Sequence, residues 1–137
     1  MADISVTAAN VLPVTGPVAD GVSAAAITAG QAVYLSAAGT WGLAQRDGTQ
    51  IEAGQYGLGM ALNSAPGAGQ PLRVALPGAD VTCGGTVAVG AVYTLSATAG
   101  GWTTDAASST NYNSVFAVGK STTRLRLICQ AAEAANA

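Results

Sequence analysis

Gly30-Gln31-Ala32-Val33-Tyr34-Leu35-Ser36-Ala37-Ala38-Gly39-Thr40-Trp41 is echoed further along the chain by Gly90-Ala91-Val92-Tyr93-Thr94-Leu95-Ser96-Ala97-Thr98-Ala99-Gly100-Gly101-Trp102. The order Gly, Ala-Val-Tyr, Leu-Ser-Ala, Gly, Trp recurs, with one residue slipped in at Thr94. A second match follows each copy. Tyr56-Gly57-Leu58-Gly59-Met60-Ala61 leads to Leu72-Arg73-Val74, and Val115-Phe116-Ala117-Val118-Gly119 leads to Leu125-Arg126-Leu127. Two strand–turn–strand units of this size cannot each bury an apolar face alone, so they are expected to close on each other. The repeated residues carry no catalytic chemistry, which points to a protein whose product is a shape and a surface.

Outward from the repeat, the pattern stays strand and turn. Ala32 to Ser36 is β-prone, Ala38-Gly39-Thr40 breaks it, and Arg46-Asp47-Gly48 turns the chain, Asp-Gly being a favoured turn pair. Gly57 and Gly59 lie two apart in a strand run, the mark of a bulge or of close backbone approach. Pro77-Gly78 closes the first half. Turn signals every 8–12 residues or so imply an all-β fold, a small β-sandwich or barrel built from two similar strand–turn–strand halves. The expected organisation is a β domain over residues 26–130, with its repeat at 27–78 and 87–130, and a tail at 131–137. Residues 1–25 differ: Ile4 and Val6 alternate with Ser5 and Thr7, and Pro13 and Pro17 follow Leu12 and Val14. They read as an extended N-terminal arm or as a first strand.

Composition narrows the function. The chain has 137 residues and is 50% hydrophobic, much of it alanine, with 9% charged residues and a net charge of −2. Such low charge opposes disorder despite a thin supply of large apolar side chains. It also suggests that further apolar surface is covered between copies. Five cations cannot form the basic stripe of a nucleic-acid binder. No apolar run is long enough to span a membrane as a helix, and Met1-Ala2-Asp3-Ile4-Ser5 does not read as a secretion signal. Cys83 and Cys129 lack CxxC spacing and read as reduced thiols, although a disulfide between them stays open.

Catalytic arrangements find little support. Histidine is absent, which removes the commonest general base and metal ligand. The carboxylates Asp3, Asp20, Asp47, Glu52, Asp80, Asp105 and Glu133 are scattered singly, and Asp47 and Asp80 read as turn residues. No DxDxDG-like calcium loop occurs, and Gly57-Leu58-Gly59 lacks the third glycine and helix of a nucleotide loop. An enzyme, a metal site and a cofactor are therefore not expected. Trp41 and Trp102 either pack over their own hairpins or stand exposed as interface or sugar-stacking rings. Arg73 and Arg126 occupy matched places in alternating strands and should point outward.

Ile27 to Leu35, then Trp41-Gly42-Leu43-Ala44, then Tyr56 to Leu62, resemble the small phage proteins called capsid cement or head-decoration proteins. Gly67-Ala68-Gly69-Gln70-Pro71-Leu72-Arg73-Val74 and Val89 to Ser96 are similar to the same family's spacing, and the likeness covers about residues 25–130. The resemblance implies a β-rich homotrimer that binds the major capsid protein on the exterior of an assembled virion, after synthesis in the host cytoplasm. The expected capsid contacts are Ile4, Val6, Leu12 and Val14. The expected oligomer interface is Trp41 and Trp102. The alternative is a carbohydrate- or receptor-binding β module of a virion fibre, with the tryptophans as the stacking platform.

Overall fold

The computed structural model describes Ile4 and residues 11–45, 57–96, 98–103 and 114–130. Among these residues there are strands and no helix: β1 Val11–Thr15, β2 Val18–Val22, β3 Ala32–Leu35, β4 Trp41–Leu43, β5 Leu58–Ala61, β6 Pro71–Ala75, β7 Asp80–Cys83, β8 Val92–Leu95, β9 Trp102–Thr103, β10 Val115–Gly119 and β11 Arg124–Gln130. They form two antiparallel sheets, one ordered β2-β6-β5-β3-β4 and the other β1-β7-β11-β10-β8-β9. The fold is all-β, as the turn spacing implies.

The repeat is visible in the strand order. Strands β2 to β6 build the first sheet and β7 to β11 build the second by the same sequence of pairings, and β1 is added beside β7. Residues 11–22, at the end of the expected arm, thus supply a strand to each sheet. Ladder registers refine the sequence match. Leu35 pairs Trp41 as Leu95 pairs Trp102, and Ala61 pairs Val74 as Gly119 pairs Leu125. Val74 therefore corresponds to Leu125, and Arg73 to Arg124 rather than Arg126. The slip is two residues, so the exposed face is conserved between the copies.

The two sheets differ in how they close. The first curls until its outer strands meet: Ser23 bridges Trp41, and the Ala24 amide donates to the Trp41 carbonyl at 2.7 Å. Inside the curl lies a small core of Ile27, Val33, Trp41, Ala61, Ala65, Leu72 and Val74. The back of this sheet contributes Ala32, Ala44, Leu58, Met60 and Ala75 to a larger core, which the second sheet completes with Val81, Cys83, Tyr93, Leu95, Trp102, Phe116, Leu125 and Leu127. Alternation along β5 explains why all four of its residues are buried. Leu58 and Met60 enter the large core, and Ala61 enters the small one.

Between them sits Gly59, the close approach that its spacing signals. A Cβ here would lie 2.5 Å from the Ala75 carbonyl oxygen and 2.5 Å from Val74 Cγ1. Gly21 serves the curl in the same way, because a Cβ there would come within 2.8 Å of the Trp41 ring. In the second sheet a bulge sets Ile128 and Cys129 against the single residue Phe116, with Cys129 at φ 52°. Phe116 and Ala117 are both buried as a result.

Gly59→Ala is expected to destabilise the protein by about 1–3 kcal/mol through overpacking. Gly67→Ala, where an added Cβ meets nothing within 4 Å, is expected to be neutral or stabilising by up to about 1 kcal/mol. Urea unfolding midpoints of the two variants test the contrast.

Candidate functional site

The sequence offers two tryptophans for an exposed role, and both rings lie in cores. Trp102 is 1% exposed in the large core, edge-on to Tyr93 with centroids 5.2 Å apart and tilted against Phe116 at 5.7 Å. Its indole N–H donates to the Gly30 carbonyl oxygen at 2.9 Å, a buried bond between the two copies of the repeat. Tyr93 is anchored too, its hydroxyl accepting from the Ala88 amide at 2.9 Å. Trp41 is 5% exposed in the small core and lies over Gly21. Neither ring is open to a partner subunit or to a sugar in the chain as folded. A β-strand forces alternate residues inward, and Trp41 and Trp102 share the inward parity of Leu35 and Leu95 opposite them.

The four expected shell contacts part company. Ile4 is half-buried against the large core, and its amide donates to the Trp102 carbonyl at 3.1 Å. Its side chain is therefore packed on the protein's own core. Leu12 is 57% exposed, opposite Thr82 on the outer side of the second sheet. Val6 and the side chain of Val14 lie outside the described residues.

The outer side of the second sheet gathers the chemistry that single residues did not announce. Cross-strand pairs align Thr15, Asp80, Arg126, Val118 and Val92 in one row, and Leu12, Thr82 and Arg124 in the next. Asp80, read from sequence as a turn residue, opens β7. Lys120 Nζ donates to its Oδ2 at 2.7 Å and Arg126 Nε to its Oδ1 at 3.3 Å. The Lys120 hydrogen bond, reinforced by that of Arg126 and by both positive charges, holds the carboxyl below its ordinary value of 3.8, although partial burial pushes the other way. The other described carboxylate, Asp20, receives Arg73 Nε at 3.0 Å on the first sheet, where both side chains are well exposed. Such surface pairs contribute about 0–1 kcal/mol each. The available signal for the cluster was the run Arg124-Leu125-Arg126-Leu127 after Lys120, which alternates charge with core residues.

Other features give less. Cys83 and Cys129 are both free. Burial raises both thiols, that of Cys129 to about 12, so neither is poised as a thiolate nucleophile at neutral pH. Among the described residues no group of three or more metal-ligating side chains occurs, and no helix is long and apolar enough to cross a membrane. A groove of about 480 Å³ runs between β1 and the β2–β6 edge, lined by Val11, Leu12, Gly21, Leu62, Pro71 and Leu72 with the Asp20–Arg73 pair at its side.

Two expectations follow. Trp102→Ala should cost about 3–5 kcal/mol of stability, whereas Trp102→Phe keeps most of the apolar contact and loses the bond to Gly30, costing about 1–3 kcal/mol. An unfolding series set beside sedimentation checks that the loss is one of folding and not of assembly. Because the Asp80 carboxyl is held low in the fold, its contribution is complete above the unfolded value and fades as pH falls below about 3.8. The stability gap between the wild type and Asp80→Asn should therefore be larger at pH 7 than at pH 2, measured by urea midpoints. No family model, curated protein or solved structure matches the chain.

Proposed function

We propose that this chain is a non-enzymatic structural protein of a phage virion, which binds the outside of the assembled capsid and stabilises it. The observation that carries this reading is what the fold leaves outside. Both tryptophans are consumed by the cores, and the chain turns outward a broad sheet face on which Leu12, Val92 and Ile128 are exposed. Exposed apolar side chains on one sheet face support a docking role. The resemblance over residues 25–130 supplies the partner, the major capsid protein, and the expectation of a homotrimer.

The physics of the role is differential affinity. A protein that spans subunit junctions only in the mature shell geometry stabilises that geometry over the others. A trimer engages several equivalent sites at once, so modest individual contacts suffice. Of the two proposed shell contacts whose side chains are described, Ile4 and Leu12, Leu12 is the exposed one. The sugar-binding alternative loses its platform, because stacking needs an open ring face and neither indole offers one.

Purified protein is expected to sediment as a trimer and to co-sediment with heads of the phage that encodes it, added to heads prepared without it. Electron microscopy of those heads should show new external density at repeating positions. A monomer that stays in the supernatant contradicts the proposal.

A further inference from the structure

We infer that the outer face of β7, β11, β10 and β8 docks an acidic protein surface that also carries apolar side chains, and that this is the side the molecule turns to the shell. The identity of the partner rests on the function proposed above. The placement of the surface rests on the structure.

Charge on this face favours such a partner. The chain has five cations and a net charge of −2. Three of those cations, Lys120, Arg124 and Arg126, fall on the β10–β11 hairpin. Among the described residues Asp80 is the one carboxylate beside them, and it is 14% exposed and engaged by Lys120 and Arg126. Arg124 makes no ion pair among the described residues. A locally positive face on an acidic chain complements a negative partner and orients its approach.

Apolar side chains are exposed on the same face. Val92 is 50% and Ile128 37% exposed, and Leu12 stands at the sheet's β1 edge. Cations interleaved with apolar side chains suit a protein surface better than a nucleic acid, which would be held by a denser array of phosphate contacts.

The repeat points to the same face. In the first sheet the row Ala32, Met60 and Ala75 corresponds, rung for rung, to Val92, Val118 and Arg126. The first row is 0% exposed, covered by the second sheet. The same sheet surface, in its second copy, is uncovered. Arg126 in place of Ala75 changes what can cover it, from an apolar sheet to a surface that brings carboxylates.

The test uses the full chain and heads of the encoding phage prepared without it, with binding isotherms read by sedimentation. Arg124→Glu/Arg126→Glu should bind at least about tenfold more weakly than wild type, and Val92→Glu should weaken binding as well. Arg73→Ala, on the other sheet, should bind like wild type. Each variant is first shown to unfold at a urea midpoint near that of wild type. Should the arginine pair prove hard to fold, Val92→Glu alone decides the matter. Wild-type protein that binds while Arg124→Glu/Arg126→Glu or Val92→Glu binds equally well overturns the face assignment and leaves the functional reading standing. Wild-type protein that does not bind overturns the functional reading, and with it this partner.

Discussion

The structure depends on one packing event: the back of the first sheet is pressed into the inner face of the second, and Trp102 marks the seam. Its ring fills the large core against Tyr93 and Phe116, and its N–H reaches across to Gly30 in the other copy. A buried indole N–H without a partner would cost about 1–3 kcal/mol, so the ring position and the relative placement of the copies are tied together. The chain has few large apolar residues to work with. It therefore uses β5 twice, with Leu58 and Met60 in one core and Ala61 in the other. Gly59 is the condition for that economy, since β5 and β6 come too close there for a side chain.

Much of this was legible in the residues. The recurrence of Ala-Val-Tyr, Leu-Ser-Ala and Trp located equivalent hairpins, and alternation gave strands with the right inward residues. Gly57-Leu58-Gly59 signalled close approach. Less visible was how the two copies would differ. Trp41 and Trp102 occupy equivalent rungs, yet one fills a curl closed by its own sheet and the other meets a second sheet. That distinction depends on Ser23 meeting Trp41 across the sheet's two edges, a long-range contact without a local pattern. The arginine match slipped by two residues for a similar reason. A period of two preserves the face under such a slip, so the periodicity that identified the strand could not choose between Arg124 and Arg126.

The candidate site was harder to see because it has no motif. Asp80 beside Gly78 and Ala79 resembles any turn aspartate, and only pairing β7 with β11 puts it beside Arg126. Ile4 looked like part of a free arm because its alternation with Ser5 and Thr7 is that of an extended edge. The structure instead ties its backbone to β9 and its side chain to the core. With the aromatic rings withdrawn into cores, the proposed docking surface is a sheet face whose counterpart in the first copy is an internal interface. The repeat thus presents two equivalent surfaces, of which one is an internal interface and the other lies on the outside, where we propose a partner docks.

The most direct measurement is an electron cryo-microscopy reconstruction of heads decorated with the protein, at a resolution that orients its sheets. The account predicts external density in which the β10–β11 hairpin, with Arg124 and Arg126, lies against acidic residues of the shell while the closed curl around Trp41 faces solvent. Heads with no added density, or density in which that hairpin points away from the shell, would contradict it.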